Sequence, residues 1–219
     1  MIPRASIAAW GRSVGWATDD QVEQDLLLSR VIVEIANDPY LGEELAFRGG
    51  TCLHKLHADA PYRYSEDLDY VRCSAGGIAD LTRATTAIGE RLGMDNTFER
   101  SPARDLVRLP FSVESPWYTG AADVLTFSLA ELVSTKIRAL FDLWLALARL
   151  GVTPADLMDS FGPYRPDGYT RARAEQNLRA KLPTLAFRND LVPLVAAWPE
   201  GYDIDDAAEL VVSEVFARL

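Results

Sequence analysis

Apolar positions recur along this chain in two periods, and the change between them divides it. The segment TDDQVEQDLLLSRVIVEIAND, residues 18–38, opens on a capping residue and carries an apolar face at helical spacing, which predicts a helix. LAF at 45–47 is a short strand, Gly49-Gly50 ends it, and a helix is expected over 51–58. EDLDYVR at 66–72 alternates with period two and predicts a second strand. A helix over 78–93 and strand character in DLVRLPFSV, 105–113, complete this half. From Ser128 to about Leu150 the pattern is helical, and further helices are expected over 153–161, 169–182 and 204–218. The expected fold class is therefore α+β, with a small mixed sheet and flanking helices over residues 1–127. A helical part follows over 128–219, and the first helix is expected to pack with it.

Composition changes this picture little, and charge changes it more. Apolar residues make up 48% and charged residues 25%, an ordinary globular balance. No apolar run approaches the roughly 18 residues that span a bilayer, so no membrane partner is expected. The N-terminal MIPRASIAAWGRSVGW has a short apolar patch without the h-region of a signal peptide. With only Cys52 and Cys73, reduced thiols and a cytoplasmic location are expected. The net charge of −10 repels a phosphate backbone and argues against non-specific nucleic-acid binding. The densest basic stretch, RARAEQNLRAKL, places Arg171, Arg173, Arg179 and Lys181 on one predicted helix. That helix reads as a solvated face or as a local basic face. There is no repeat, low-complexity tract or long linker.

The candidate chemistry sits in FRGGTCLHK, residues 47–55, and in the acid pair that follows. Two glycines before a helix can adopt angles closed to other residues and present N–H groups at the positive end of the dipole, which favours a phosphate. Thr51 adds a hydroxyl, and Lys55 lies one turn further on the same side. Taken alone, the same residues also describe an ordinary helix cap. In SEDLDY, residues 65–70, positions i and i+2 of a strand share a face, so Asp67 and Asp69 point one way while Leu68 and Tyr70 point to a core. Carboxylates about 7 Å apart on a strand can share a hard cation such as Mg²⁺, or simply form a polar face. A glycine-rich helix start ahead of a D-x-D, with a strand on each side, is what a nucleotide–metal site needs.

SLAELVSTKIRALFDLW opens with Ser128 and Glu131 in capping-box spacing. Leu129, Leu132, Val133, Ile137, Leu140, Phe141 and Trp144 define a buried arc, and Lys136 falls inside it. A cation there snorkels, pairs with an acid, or faces a phosphate.

Together FRGGTCLHK, RYSEDLDY and STKIRAL resemble the AbiEii/AbiGii toxins, whose pattern is F-K-G-G-T-x-L-x-K, then R-F-S-E-D-I-D, then K-L-R-A-L. The likeness is specific over 45–72 and 128–150. It implies a polymerase-β-like nucleotidyltransferase fold with a helical C-terminal part. It also implies transfer of nucleotides from an NTP with Mg²⁺ to an RNA acceptor such as a tRNA 3′ end, and a cognate antitoxin partner. Carried over by position, Gly49, Gly50 and Thr51 hold the triphosphate, with Lys55 and Ser65 beside them. Asp67 and Asp69 bind metal and act in catalysis with Lys136, which contacts the nucleotide. The readings set against this are a catalytically degenerate nucleotide- or protein-binding module and a nucleotidyltransferase acting on a small molecule such as an aminoglycoside.

Two departures stand out. The family's strand K-I-E-I-N, whose acid faces the D-x-D, has no counterpart in GMDNTFERSP. The first Asp of the family's R-D-L-F-D-L-W, assigned to catalysis, is also missing, since RALFDLWLAL supplies only Asp142, the second. Either the site is degenerate or segments are missing between Asp95 and Asn96 and between Phe141 and Asp142. Both junctions read smoothly once a loop is inserted, so breaks are expected there.

Overall fold

The computed structural model describes residues 2–74, 77, 79–93, 99–100, 107–108, 112–114, 137–162, 165 and 168–219. The chain divides into two units, Met1–Ala122 and Asp123–Leu219.

In the first unit, α1 (Arg4–Val14) ends on Gly15, whose φ of 69° turns the chain out of the helix. The next helix, α2 (Asp19–Asn37), is capped by Thr18, whose hydroxyl accepts the Gln21 N–H at 3.3 Å, with Asp19 and Asp20 in its first turn. Its buried positions, Val22, Asp25, Leu28, Val31 and Ile35, fall three or four residues apart and form one stripe. After α3 (Leu41–Glu44) the chain enters β1 (Leu45–Arg48), then α4 (Gly49–Cys52), and later β2 (Asp69–Arg72). A helix α5 (Ala79–Arg91) and three short strands follow, β3 (Glu99–Arg100), β4 (Val107–Arg108) and β5 (Ser112–Glu114).

The sheet is mixed, in the order β1-β2-β5-β4-β3. β1 and β2 are antiparallel, β2 and β5 parallel, and β5-β4-β3 antiparallel. The expected strand over 105–113 is thus two strands, with Arg108 opposite Ser112. The expected strand over 66–72 pairs only from Asp69, because β1 offers partners only as far as Arg48. Phe47 stands opposite Tyr70, their rings stacked at 4.9 Å. The core joins Leu28, Val31 and Ile35 of α2 to Leu41, Leu45, Leu68, Tyr70, Leu81 and Ile88. Burying each such side chain contributes about 1.5–3 kcal/mol relative to exposure. Cys52 is buried and Cys73 exposed, and both are free thiols.

One buried ion pair closes the far end of β2. Arg72 donates to Glu44, whose carboxylate also accepts from the Ser74 hydroxyl at 2.7 and 2.9 Å. Burial works to raise the Glu44 pKa, but the Ser74 and Arg72 contacts outweigh it and hold the group below 4.5.

The second unit is helical over its described residues. It contains α6 (Ile137–Ala148), α7 (Pro154–Phe161), α8 (Arg171–Lys181), α9 (Leu185–Asn189) and α10 (Ile204–Glu214). Three starts carry side-chain caps: Thr153 with Asp156 in a reciprocal box, Thr170, and Asp203, which accepts from two backbone N–H groups. α6 buries Ile137, Leu140, Phe141 and Trp144 of the expected arc and also Leu145, and it packs against α10; Leu129, Leu132 and Val133 lie outside the described residues. Phe141 and Asp142 are consecutive residues within α6, so the expected break there does not exist; the helix carries unbroken apolar spacing through the junction. The Asp95–Asn96 junction and Lys136 lie outside the described residues. Among the described residues no helix is long and apolar enough to cross a membrane.

Because Glu44 has a lowered pKa when folded, its contribution to stability is complete above the ordinary value of 4.5 and is lost as pH falls through the lower folded value. Glu44→Gln is expected to lower stability by about 3 kcal/mol at neutral pH, since Arg72 is left buried without its counter-charge. Urea unfolding should show that gap shrinking below pH 4.5.

Candidate nucleotide site

The glycine turn and the acid pair are built onto one another by the β1–β2 ladder. Arg48 is the last residue of β1 and stands opposite Asp69, the first of β2. The chain leaves the ladder at Gly49 with φ of 80°, a conformation that L side chains avoid. A Cβ at Gly49 would overlap Asp69 Oδ2 and come 3.0 Å from Asp69 Cβ and Cγ. A Cβ at Gly50 would meet the Arg63 guanidinium and lie 3.2 Å from Ser65 Oγ. The two glycines thus face different groups. Gly49 lies under a carboxylate, and Gly50 lies under an arginine and a serine.

The acid segment is held from two directions. The Thr51 hydroxyl donates to the Asp67 carbonyl at 2.5 Å, and the Gln24 side chain donates to the Glu66 carbonyl at 2.7 Å. Leu68 and Tyr70 are buried at 0% and 2% exposure, whereas Asp67 is exposed and Asp69 half-buried, so the expected alternation holds through this segment. Asp67 itself precedes the ladder, and its place is set by these hydrogen bonds. Thr51 is buried, and its hydroxyl proton is committed to the Asp67 carbonyl.

The helix starts at Gly49, two residues earlier than expected, and widens into a π-turn over Leu53–His57, closed by the Ala58 N–H on the Leu53 carbonyl at 2.9 Å. The Lys55 ammonium lies 2.8 Å from Asp25 Oδ1 and 5.7 Å from the centroid of the Trp10 ring. Asp25 is 2% exposed, and its second oxygen accepts the Trp10 indole N–H at 2.7 Å. Lys55 and Ser65 line one small pocket of about 30 Å³ together with Trp16, Asp25, His54 and Arg63. Above it Tyr64 is buried edge-on to Trp16 at 5.6 Å. Burial, then the charges of Glu66, Asp25 and Asp67, push its hydroxyl up to about 12.

The structure therefore brings together Gly49, Gly50, Thr51, Lys55, Ser65, Asp67 and Asp69, all within the first unit. Lys136 is outside the described residues. Asp25 and Arg63 were missed by sequence reasoning. An acid on the apolar stripe of α2 was a usable signal for Asp25, of the same kind that singled out Lys136. Arg63 is the first residue of the RYSEDLDY motif and is 4% exposed. The basic helix exposes Arg171, Arg173, Arg179 and Lys181, and its Arg171 and Arg179 pair with Glu175 of the same helix.

Comparison with known families gives one match. Residues 30–104 match the model of the nucleotidyl transferase AbiEii toxin family, described as a Type IV TA system. Over those residues the chain resembles the AbiEii family. Nucleotidyltransferase, as the toxin of a toxin–antitoxin system, is the class that this family's description gives. The matched AbiEii segment holds the glycine turn, Ser65 and both acids, and ends short of α6. A solved structure, MenT4, a nucleotidyltransferase toxin from Mycobacterium tuberculosis H37Rv, is 17% identical. The alignment covers 96% of this chain and 99% of that one, with a TM-score of 0.38. No curated protein sequence matches.

Gly15 and Gly49 share a left-handed φ, but a Cβ at Gly15 meets nothing within 4 Å. Gly15→Ala is expected to cost about 1–2 kcal/mol, the strain alone. Gly49→Ala is expected to cost about 1–3 kcal/mol more, because Asp69 must move. Paired urea-unfolding curves measure the difference, and equal costs would mean that Asp69 does not sit over the turn.

Proposed function

We propose that this AbiEii-type chain transfers a nucleotide from an NTP to an RNA acceptor, a tRNA 3′ end, in a Mg²⁺-dependent reaction in the cytoplasm. The observation that carries this reading is Asp69 held over Gly49, which puts a carboxylate beside a turn whose first N–H groups have no partner within their helix. Asp67 and Asp69 suit Mg²⁺, which is held by one or two carboxylates together with substrate phosphates. When bound, it would neutralise phosphate charge and favour displacement at phosphorus. Gly49, Gly50 and Thr51 would present backbone N–H groups to the triphosphate, with Lys55 and Ser65 at its side. Lys136 is the cation that the family pattern assigns to offset phosphate charge. An acceptor hydroxyl would attack the α-phosphorus, lose its proton and release pyrophosphate. The exposed Arg171, Arg173, Arg179 and Lys181 offer the acceptor a local basic face on an acidic chain. A cognate antitoxin would hold the activity in check.

Incubation with Mg²⁺, each labelled NTP in turn and total tRNA tests this. Label is expected to enter tRNA with the wild type, and to fall by at least about a hundredfold with Asp67→Ala or Asp69→Ala. Binding of NTP without transfer to tRNA or to a small molecule would instead point to a non-catalytic module. Label entering an aminoglycoside would change the acceptor class.

A further inference from the structure

We infer that Asp25 is a positioning residue for nucleotide binding, acting by fixing the Lys55 ammonium in the pocket that Thr51 lines; this rests on the nucleotide reading of the glycine turn. Lysine carries its charge on a flexible four-carbon stem, so an unheld ammonium samples many positions. Here it is held. Asp25 Oδ1 takes one of its three N–H donors at 2.8 Å, and the Trp10 ring lies beside it. The carboxylate cannot follow the lysine outward, because Trp10 Nε1–H occupies Oδ2 at 2.7 Å and the residue is 2% exposed. Ser29 donates to the Asp25 carbonyl at 2.7 Å, tying the same residue into α2.

The geometry distinguishes this contact from a surface ion pair. Lys55 is 22% exposed and lines the same pocket as Thr51, Arg63 and Ser65. A buried carboxylate without a cation is costly, so Asp25 needs Lys55 as much as it orients it. Lys55 and the glycines belong to one run of chain, whereas Asp25 comes from α2 and lies outside the family match, which begins at residue 30.

Calorimetric titration with Mg²⁺ and the NTP preferred in the transfer assay tests this, with circular dichroism confirming the fold of each variant. Asp25→Asn is expected to weaken NTP binding by about 10- to 100-fold, the scale of a misplaced binding group. Asp25→Glu, which keeps the charge, should restore most of that loss, a rescue that a purely structural role would not give. Unchanged or tighter binding by folded Asp25→Asn overturns the inference when Lys55→Met weakens binding. If Lys55→Met also binds normally, the nucleotide role of Lys55 fails first and the inference falls with it. Should Asp25→Asn not fold, Trp10→Phe removes the hydrogen bond to Oδ2 and leaves an aromatic ring beside Lys55. Weaker NTP binding by that variant supports the inference, and wild-type binding overturns it.

Discussion

A carboxylate can lie directly over a backbone turn only where the turn has no side chain, and the site depends on that constraint at Gly49. The β1–β2 ladder sets Arg48 opposite Asp69, so the next residue of the chain passes beneath the acid. Any Cβ there would overlap Asp69 Oδ2, and the φ of 80° already excludes most residues. The same pairing sets Phe47 on Tyr70 and sends Leu68 and Tyr70 into the core. Core packing and site geometry are therefore consequences of one register. A slip of one residue would bury Asp69 and expose Tyr70.

The second organising element is α2. Its apolar stripe covers the sheet, and two polar residues on the same helix reach the site. Gln24 holds the carbonyl of Glu66, and Asp25 holds the lysine of the π-turn. Thr51 completes the arrangement by bonding the Asp67 carbonyl from inside the helix start. Two hydrogen bonds, from Gln24 and Thr51, thus fix an exposed acid, Asp67, that the sheet does not pair. The charge content around the turn is divided in the same way, with Asp69 on the Gly49 side and Arg63 with Ser65 on the Gly50 side.

Legibility in the sequence varied with the range of the interaction concerned. Caps are local, so Thr18, Thr153, Thr170 and Asp203 announce their helices through their own neighbours. The period-two run at 66–70 showed which residues face the core, and the apolar arc of α6 predicted its buried face. The run DLVRLPFSV has its expected strand character, but its division was not legible, because a single apolar stretch can form two strands without any change in composition. The continuity of α6 through Phe141 and Asp142 likewise overturned an expectation taken from a family pattern, where the local spacing of this chain was the better guide.

What the sequence determined by itself was the α+β division, the alternation that turns Asp67 and Asp69 away from buried Leu68 and Tyr70, and the need for glycine at a turn. These follow from backbone sterics and from periods of two and 3.6 residues. What only the tertiary structure decided was which groups meet. The ladder register puts Asp69 over Gly49, and α2 brings Asp25 to Lys55 across a sequence separation of 30 residues. Contacts of that separation leave no periodic trace in the chain, because they are fixed by how whole elements pack and not by the neighbours of either residue.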